Sequence, residues 1–267
     1  MASPTSSSSP SSAWPQRRRL IGLSTKMYFS LSRTRDFTRQ LLSLLGSIAP
    51  ASLAEIDIFI IPDFVSLTST AAQLASCAVP VLLGAQDCHW QDSGAFTGEV
   101  SAAVLHEAGV GLVEVGHAER RRLFGEDDAM VAKKAAAVVS NAMVPLVCIG
   151  EQTPGDVASA VAQCRLQVEA VMAAVPDDAP LVLAYEPVWA IGATRPAEPQ
   201  HVVAVAQAIR QLECVTARRT PTRILYGGSA GPGLFQQLSG SLDGLFLGRF
   251  GHEPARFVDT IRDVVEA

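Results

Sequence analysis

No apolar stretch in this chain approaches the roughly 20 residues needed to cross a bilayer, so the sequence reads as that of a soluble protein with no membrane partner. Cysteine is sparse and unpatterned. Cys77, Cys88, Cys148, Cys164 and Cys214 are an odd number without CxxC spacing, which excludes a disulfide framework and a zinc site and fits a reducing compartment. There is no basic excess: 21 Lys and Arg stand against 26 Asp and Glu, for a net charge of −5. That balance argues against broad nucleic-acid binding, and a small anionic substrate would need a local positive field instead. No Ser/Gly/Pro-rich linker interrupts residues 20–267, so one domain is expected.

Residues 1–19 differ from the rest. Met1 to Ser12 is almost all Ser, Pro, Ala and Thr, followed by Trp14-Pro15-Gln16 and Arg17-Arg18-Arg19. Such a segment buries too little apolar surface to offset its ordering entropy, so it reads as a disordered tail outside the fold. It lacks acidic residues, as a transit peptide would, but its prolines break an amphipathic helix and it has no apolar core for secretion. A cytoplasmic location is expected.

The remainder alternates short apolar runs with helix-period segments. The runs are 20–24, 56–61, 81–85, 111–115, 144–149, 181–185, 224–226 and 244–247. Near-continuous Val, Ile and Leu imply strands buried on both faces, as in a parallel sheet. Helices are expected at 37–48, on a stripe of Leu41, Leu42, Leu44 and Leu45, and at 202–212 after Pro199. Eight such units predict an α/β fold, a (β/α)8 barrel. The rival doubly wound sheet would want a glycine-rich turn after the first strand, and none is present.

Barrel active sites lie at the C-terminal ends of the strands. There the sequence places Lys26, Gln86, His117, Glu151, Glu186, Gly227-Gly228-Ser229 and Gly248. Taken singly, Lys26 reads as a solvated loop residue, His117 as a structural histidine and the glycines as a turn. Their coincidence at one end of successive strands points to a site. Glu186 is the most telling: Leu181 to Ala184 delivers it to a strand end, Pro187 stops the ladder, and Trp189, Ala190, Ile191 and Gly192 form an apolar lid tip with a hinge. A carboxylate under a water-excluding lid suits proton abstraction beside a carbonyl.

Val113-Glu114-Val115-Gly116-His117-Ala118-Glu119-Arg120-Arg121, the segment from Ala184 to Gly192, and Tyr226-Gly227-Gly228-Ser229 together resemble the triosephosphate isomerases. Gly84-Ala85-Gln86, the stretch from Gly94 to Ser101, and Cys148-Ile149-Gly150-Glu151 support the resemblance, which runs in order over essentially all of 20–267. It implies a single-domain TIM barrel and a cofactor-independent, metal-free isomerase of glycolysis and gluconeogenesis. The expected reaction interconverts dihydroxyacetone phosphate and glyceraldehyde 3-phosphate through an enediolate. The resemblance makes Glu186 the base, His117 a neutral electrophile before a helical turn at residues 118–124, Lys26 the positive charge, and Glu119 an orienting group for Lys26 or a proton shuttle. Gly192, Gly227, Gly228, Ser229 and Gly248 are expected around the phosphate, with Pro232 opening a short helix aimed at it. The resemblance also implies a homodimer, with the loop of residues 87–98 placing Thr97 in the neighbour's site and Glu99 meeting Arg120 across the interface.

Four departures bear on the substrate. Ser24 stands where the family usually has Asn; Gly192-Ala193-Thr194-Arg195 replaces Gly-Thr-Gly-Lys; Arg249-Phe250 follow Gly248; and Asp87 replaces an expected Asn. Ser24 opens room near the carbonyl end of the substrate. Arg249 either forks onto phosphate oxygens or points to solvent. Similar serine-for-asparagine and glycine-arginine changes occur in relatives that isomerise a tetrulose (erythrulose) phosphate, the alternative to the triose phosphate. A lyase releasing methylglyoxal and a non-catalytic sugar-phosphate-binding barrel are the further readings; retention of Glu186, His117 and Lys26 speaks against the last.

Overall fold

Eight parallel strands close into a barrel in sequence order: β1 (Arg19–Ser24), β2 (Ile56–Ile61), β3 (Val81–Ala85), β4 (Leu112–Val115), β5 (Val144–Ile149), β6 (Val182–Tyr185), β7 (Arg223–Tyr226) and β8 (Gly244–Leu247). The structure, a computed structural model, describes residues 19–192 and 197–267. The rest of the N-terminal tail, and Ala193, Thr194 and Arg195 of the hinge motif, lie outside the described residues. Every strand falls where the apolar runs predicted it, to within one residue. The helices are α1 (Leu31–Leu45), α2 (Leu67–Ala75), α3 (Ala102–Glu107), α4 (Ala118–Phe124), α5 (Asp128–Ser140), α6 (Val157–Met172), α7 (Pro199–Arg210), α8 (Glu213–Thr216) and α9 (Pro254–Glu266).

Alternation along the strands produces two apolar cores. Leu20, Phe59, Leu112, Leu146, Val182, Leu225 and Phe246 fill the barrel interior. Ile21, Ile58, Val113, Val147, Leu183, Ile224 and Leu245, one residue out of phase, pack outward with helical side chains such as Leu41, Val138 and Ile261. This is the two-faced burial that near-continuous hydrophobic strands require. Interior parity also runs to Ser24, Glu114, Glu186, Gly227 and Gly248, which lie in the upper part of the barrel or just past its strand ends.

Two boundaries differ from expectation. Arg19, assigned to the tail, opens β1 and is buried: its guanidinium donates to the carbonyls of Leu242 (3.1 Å) and Ala267 (3.3 Å), closing the barrel floor. The helix expected at 37–48 is α1, beginning at Leu31 because the Ser30 hydroxyl caps it by accepting from Arg33 N–H at 3.2 Å.

Candidate active site

At the mouth of the barrel Lys26, His117 and Glu186 converge. Lys26 follows β1 in left-handed conformation, φ 48°, a strained geometry for a residue with a Cβ. The Gln86 amide holds that turn by donating to the Lys26 carbonyl at 2.9 Å. The ammonium donates to Glu119 Oε1 at 2.9 Å and lies 3.2 Å from His117 Nε2. Burial opposes its charge, but the Glu119 hydrogen bond and the charges of Glu186, Glu119 and Glu114 outweigh it, and the pKa is raised.

His117 caps α4 with its ring. Nδ1 accepts the Glu119 N–H at 3.1 Å, so in the neutral ring the proton sits on Nε2, the atom facing Glu186 Oε2 at 3.5 Å. Burial first, then the Lys26 charge, pull the pKa down to about 4. A neutral imidazole that donates is thus built by desolvation and an adjacent cation, more than by the short helix behind it.

Glu186 is 3% exposed, and burial pushes its pKa up to about 8, with Lys26 and the Cys148 thiol opposing. Its Oε2 has no hydrogen-bond partner among the described residues. A Cβ at Gly227 would stand 2.5 Å from the Glu186 carboxylate, so only glycine lets the carboxylate lie there. A buried base with an unpartnered oxygen facing a donor histidine and an ammonium is an arrangement for moving a proton along a polarised carbon skeleton.

The same cleft is lined by Ser24, Gly192, Gly227, Gly228, Ser229, Gly248 and Arg249, so the residues expected around a phosphate lie together beside the carboxylate. Arg249 is exposed, and it donates to the Gly192 carbonyl at 3.4 Å, so its side chain reaches across to the lid. Ser229 donates to the Ala190 carbonyl at 3.3 Å. The helix expected at Pro232 does not form. Gly233 at φ 87° turns the chain there, and only a short 3-10 turn, Phe235–Gln237, follows.

Glu151 proves to belong to the lid. Fully buried, it accepts from Tyr185 Oη (3.1 Å) and Trp189 Nε1 (2.9 Å), with His201 Nε2 at 3.3 Å. Thr97 and Glu99 are exposed on the loop after β3, away from the cleft. Arg120 is engaged within its own chain, its Nε 2.6 Å from Asp87 Oδ2 and 2.5 Å from Glu126 Oε1. Sequence reasoning missed the buried Asp87–Lys134–Glu126 cluster, in which Lys134 donates to both carboxylates. It also gave no role to Arg122, whose charge acts on His117 and Glu119, or to Glu114. The signal for Glu114 was there: a carboxylate on interior parity in an otherwise apolar strand.

Comparison with known proteins agrees with this geometry. The family model described as Triosephosphate isomerase matches residues 19–264. The chain belongs to the triosephosphate isomerase family. Within it, the chain is 45% identical over 244 residues to an L-erythrulose-1-phosphate isomerase of Pectobacterium atrosepticum, covering 90% of this chain and 93% of that protein. Proteins of the same name from Rhizobium etli and Mycolicibacterium smegmatis are each 38% identical, over 257 and 234 residues, covering 92% and 86% of this chain and the same shares of theirs. Membership in this isomerase family gives the convergence of Glu186, His117 and Lys26 its chemical meaning. The tetrulose names favour the alternative substrate raised by Ser24 over the triose, and the glycolytic and gluconeogenic role inferred with the triose finds no support in them.

Proposed function

We propose that the protein isomerises a four-carbon ketose phosphate of the erythrulose 1-phosphate type. The observation that carries the reading is the cleft itself: a buried base, a neutral donor and an ammonium converge over a floor where Ser24 leaves the space an asparagine would fill. The names of the relatives support the tetrulose.

The chemistry follows from the substrate skeleton. Erythrulose 1-phosphate carries the phosphate ester on C1, the carbonyl on C2, a hydroxyl on C3 and a hydroxymethyl group at C4. Only C3 has both a removable hydrogen and a hydroxyl that can become a carbonyl. Glu186 takes the C3 proton as the electron pair moves through C2 to O2. His117 Nε2–H and the Lys26 ammonium stabilise the oxyanion. A proton passes from O3 to O2 by way of His117, and Glu186 returns its proton to C2. The product is the isomeric ketose with its carbonyl at C3, numbered from its other end erythrulose 4-phosphate. The enediolate has the phosphate on the adjacent carbon and would expel it in water. The lid base held by Glu151 and Arg249 opposes that loss, as it opposes the methylglyoxal-forming lyase reading.

Glu119 positions Lys26, and Gly228, Ser229, Gly248 and Arg249 hold the phosphate. No step calls on a cofactor. The free cysteines fit a reducing compartment, and we assign the protein to the cytoplasm. No helix among the described residues is long and apolar enough to cross a membrane. The homodimer implied by the family is part of the reading, with the Thr97 loop reaching toward Lys26 of a second copy and Glu99 toward its Arg120. Purified protein assayed by NMR on L-erythrulose 1-phosphate and on dihydroxyacetone phosphate tests the substrate. We expect kcat/KM to favour the tetrulose by about tenfold or more. Turnover of the triose near the diffusional ceiling, of order 10⁸ M⁻¹s⁻¹, with the tetrulose ignored, would make this an ordinary triosephosphate isomerase.

A further inference from the structure

The end of β1 is held by a residue from the far end of the chain. Along β1 the backbone of Leu20 turns toward β8, its N–H donating to the Asp243 carbonyl at 2.9 Å, and by the two-residue period Ser24 turns the same way. The pairing of β1 with β8 ends one rung earlier, at Leu23 with Leu247. Gly248 then leaves the sheet, and a 3-10 turn, Arg249–Gly251, follows. His252 takes up the open rung. Its Nε2 lies 3.0 Å from the Ser24 carbonyl oxygen, and since a carbonyl only accepts, Nε2 carries the proton. The ring is buried and meets Tyr28 and Phe29 edge-on, at centroid distances of 5.6 and 4.8 Å. Burial holds its pKa below the usual histidine value, against the Ser24 hydrogen bond, so the ring is neutral.

His252 also belongs to the Arg249 turn, because its N–H donates to the Arg249 carbonyl at 3.2 Å. One residue therefore joins the turn after β8, which carries Gly248 and Arg249, to the end of β1. What it holds there matters two positions later. Lys26 has φ 48°, a strained backbone that persists only where its surroundings over-determine it. Gln86 supports that turn from the β3 side by donating to the Lys26 carbonyl at 2.9 Å. His252 supports it from the β8 side through Ser24. We propose that His252 is a positioning residue for Lys26: by holding the Ser24 carbonyl it fixes the strained turn, so that the ammonium meets the enediolate oxygens. His252 is not among the residues that line the cleft, and it acts through the backbone alone. The inference rests on the isomerase reading of the cleft and is independent of the carbon count of its substrate.

Three variants test it. His252→Leu keeps an apolar side chain against Tyr28 and Phe29 and leaves the Ser24 carbonyl without its donor. It should lower kcat by about tenfold or more, with KM within about threefold, on whichever of L-erythrulose 1-phosphate and dihydroxyacetone phosphate the wild type turns over. His252→Gln carries an amide N–H as many bonds from Cβ as Nε2 and should restore kcat to within about threefold. His252→Asn, one bond shorter, should not. Calorimetry gives a readout independent of turnover. 2-Phosphoglycolate, whose carboxylate stands in for the enediolate, should bind His252→Leu about tenfold more weakly, while inorganic phosphate binds within about threefold of the wild type. On a Lys26→Ala background His252→Leu should cost 2-phosphoglycolate nothing further, because the two residues act as one unit. A His252→Leu protein that melts lower yet keeps the wild-type kcat would reduce His252 to packing and overturn the proposal. Equal losses for the two anions, or a Gln variant no better than Asn, would overturn it as well, and the Gln–Asn pair decides where His252→Leu does not fold. Absence of turnover of both ketose phosphates by the wild type overturns the isomerase reading instead, and the two affinities still decide the role of His252.

Discussion

At the scale of single residues, the site is a problem of two carboxyl groups and one cation in a space that favours neither charge. Burial raises Glu186 to about 8, and burial followed by the Glu186 charge raises Glu114 to about 8. Burial thus holds both carboxyl groups toward their neutral forms. Activity should follow the base. We expect log kcat/KM to climb with pH toward a plateau above about 8, with no further break from His117, whose pKa of about 4 leaves it neutral throughout. A profile flat down to about pH 6 would contradict it. Stability runs the opposite way. The Glu186 carboxyl ionises at about 4.5 when unfolded and at about 8 when folded. Between those values the folded state holds the extra proton, so the protein loses stability as pH rises through that window. Glu186→Gln should therefore melt higher than the wild type at pH 8, with the gap closing near pH 4, as scanning calorimetry would show. Glu186→Asp retracts the base by one methylene and should cut turnover by about 10²-fold or more, while 2-phosphoglycolate still binds. Unchanged turnover would remove Glu186 from the mechanism.

At the scale of elements, the turn after β6 is held from below and from the side. Glu151, at the end of β5, anchors it through Tyr185 and Trp189, and α7 adds His201. Arg249, after β8, meets the Gly192 carbonyl at 3.4 Å across the cleft. In the proposed reaction a guanidinium there would exchange that carbonyl for phosphate oxygens and bind ground and transition states uniformly. Arg249→Ala should then raise KM about tenfold with kcat within about threefold, and steady-state kinetics on the tetrulose phosphate will show it. A fall in kcat alone would mean that Arg249 instead controls lid closure.

At the scale of the whole molecule, several of the loops and turns that follow β1, β2 and β3 carry exposed apolar side chains. Met27, Leu31, Val65 and Phe96 are 95%, 58%, 76% and 42% exposed, large apolar side chains that association of two copies would cover. The loop after β3 opens at a charged cluster of Asp87, Arg120, Glu126 and Lys134. Asp87 is pushed up to about 6, chiefly by burial, with Lys134 opposing. We expect sedimentation equilibrium at assay concentration to give a dimer, and Asp87→Asn, which leaves the buried Lys134 with a single carboxylate, to lower the melting temperature. An active monomer would remove the second copy from the mechanism.

The barrel was legible because a strand buried on both faces leaves a run of Val, Ile and Leu that little else in a water-soluble chain requires, and because Lys26, His117 and Glu186 each follow such a run. Residues without that punctuation were harder to place. Glu151 stands at a strand end like the others, yet it serves the lid, since Tyr185, Trp189 and His201 surround it only after the chain closes. Arg19 reads as the end of a basic tail, and only the carbonyls of Leu242 and Ala267, more than 200 positions away in sequence, make it part of β1. The sequence by itself determined the fold and the places of Glu186, His117 and Lys26 at the strand ends, because periodicity and strand ends are local properties. The tertiary structure alone decided their charge states and the neighbours of Glu114, because desolvation and partner distance are properties of the closed barrel.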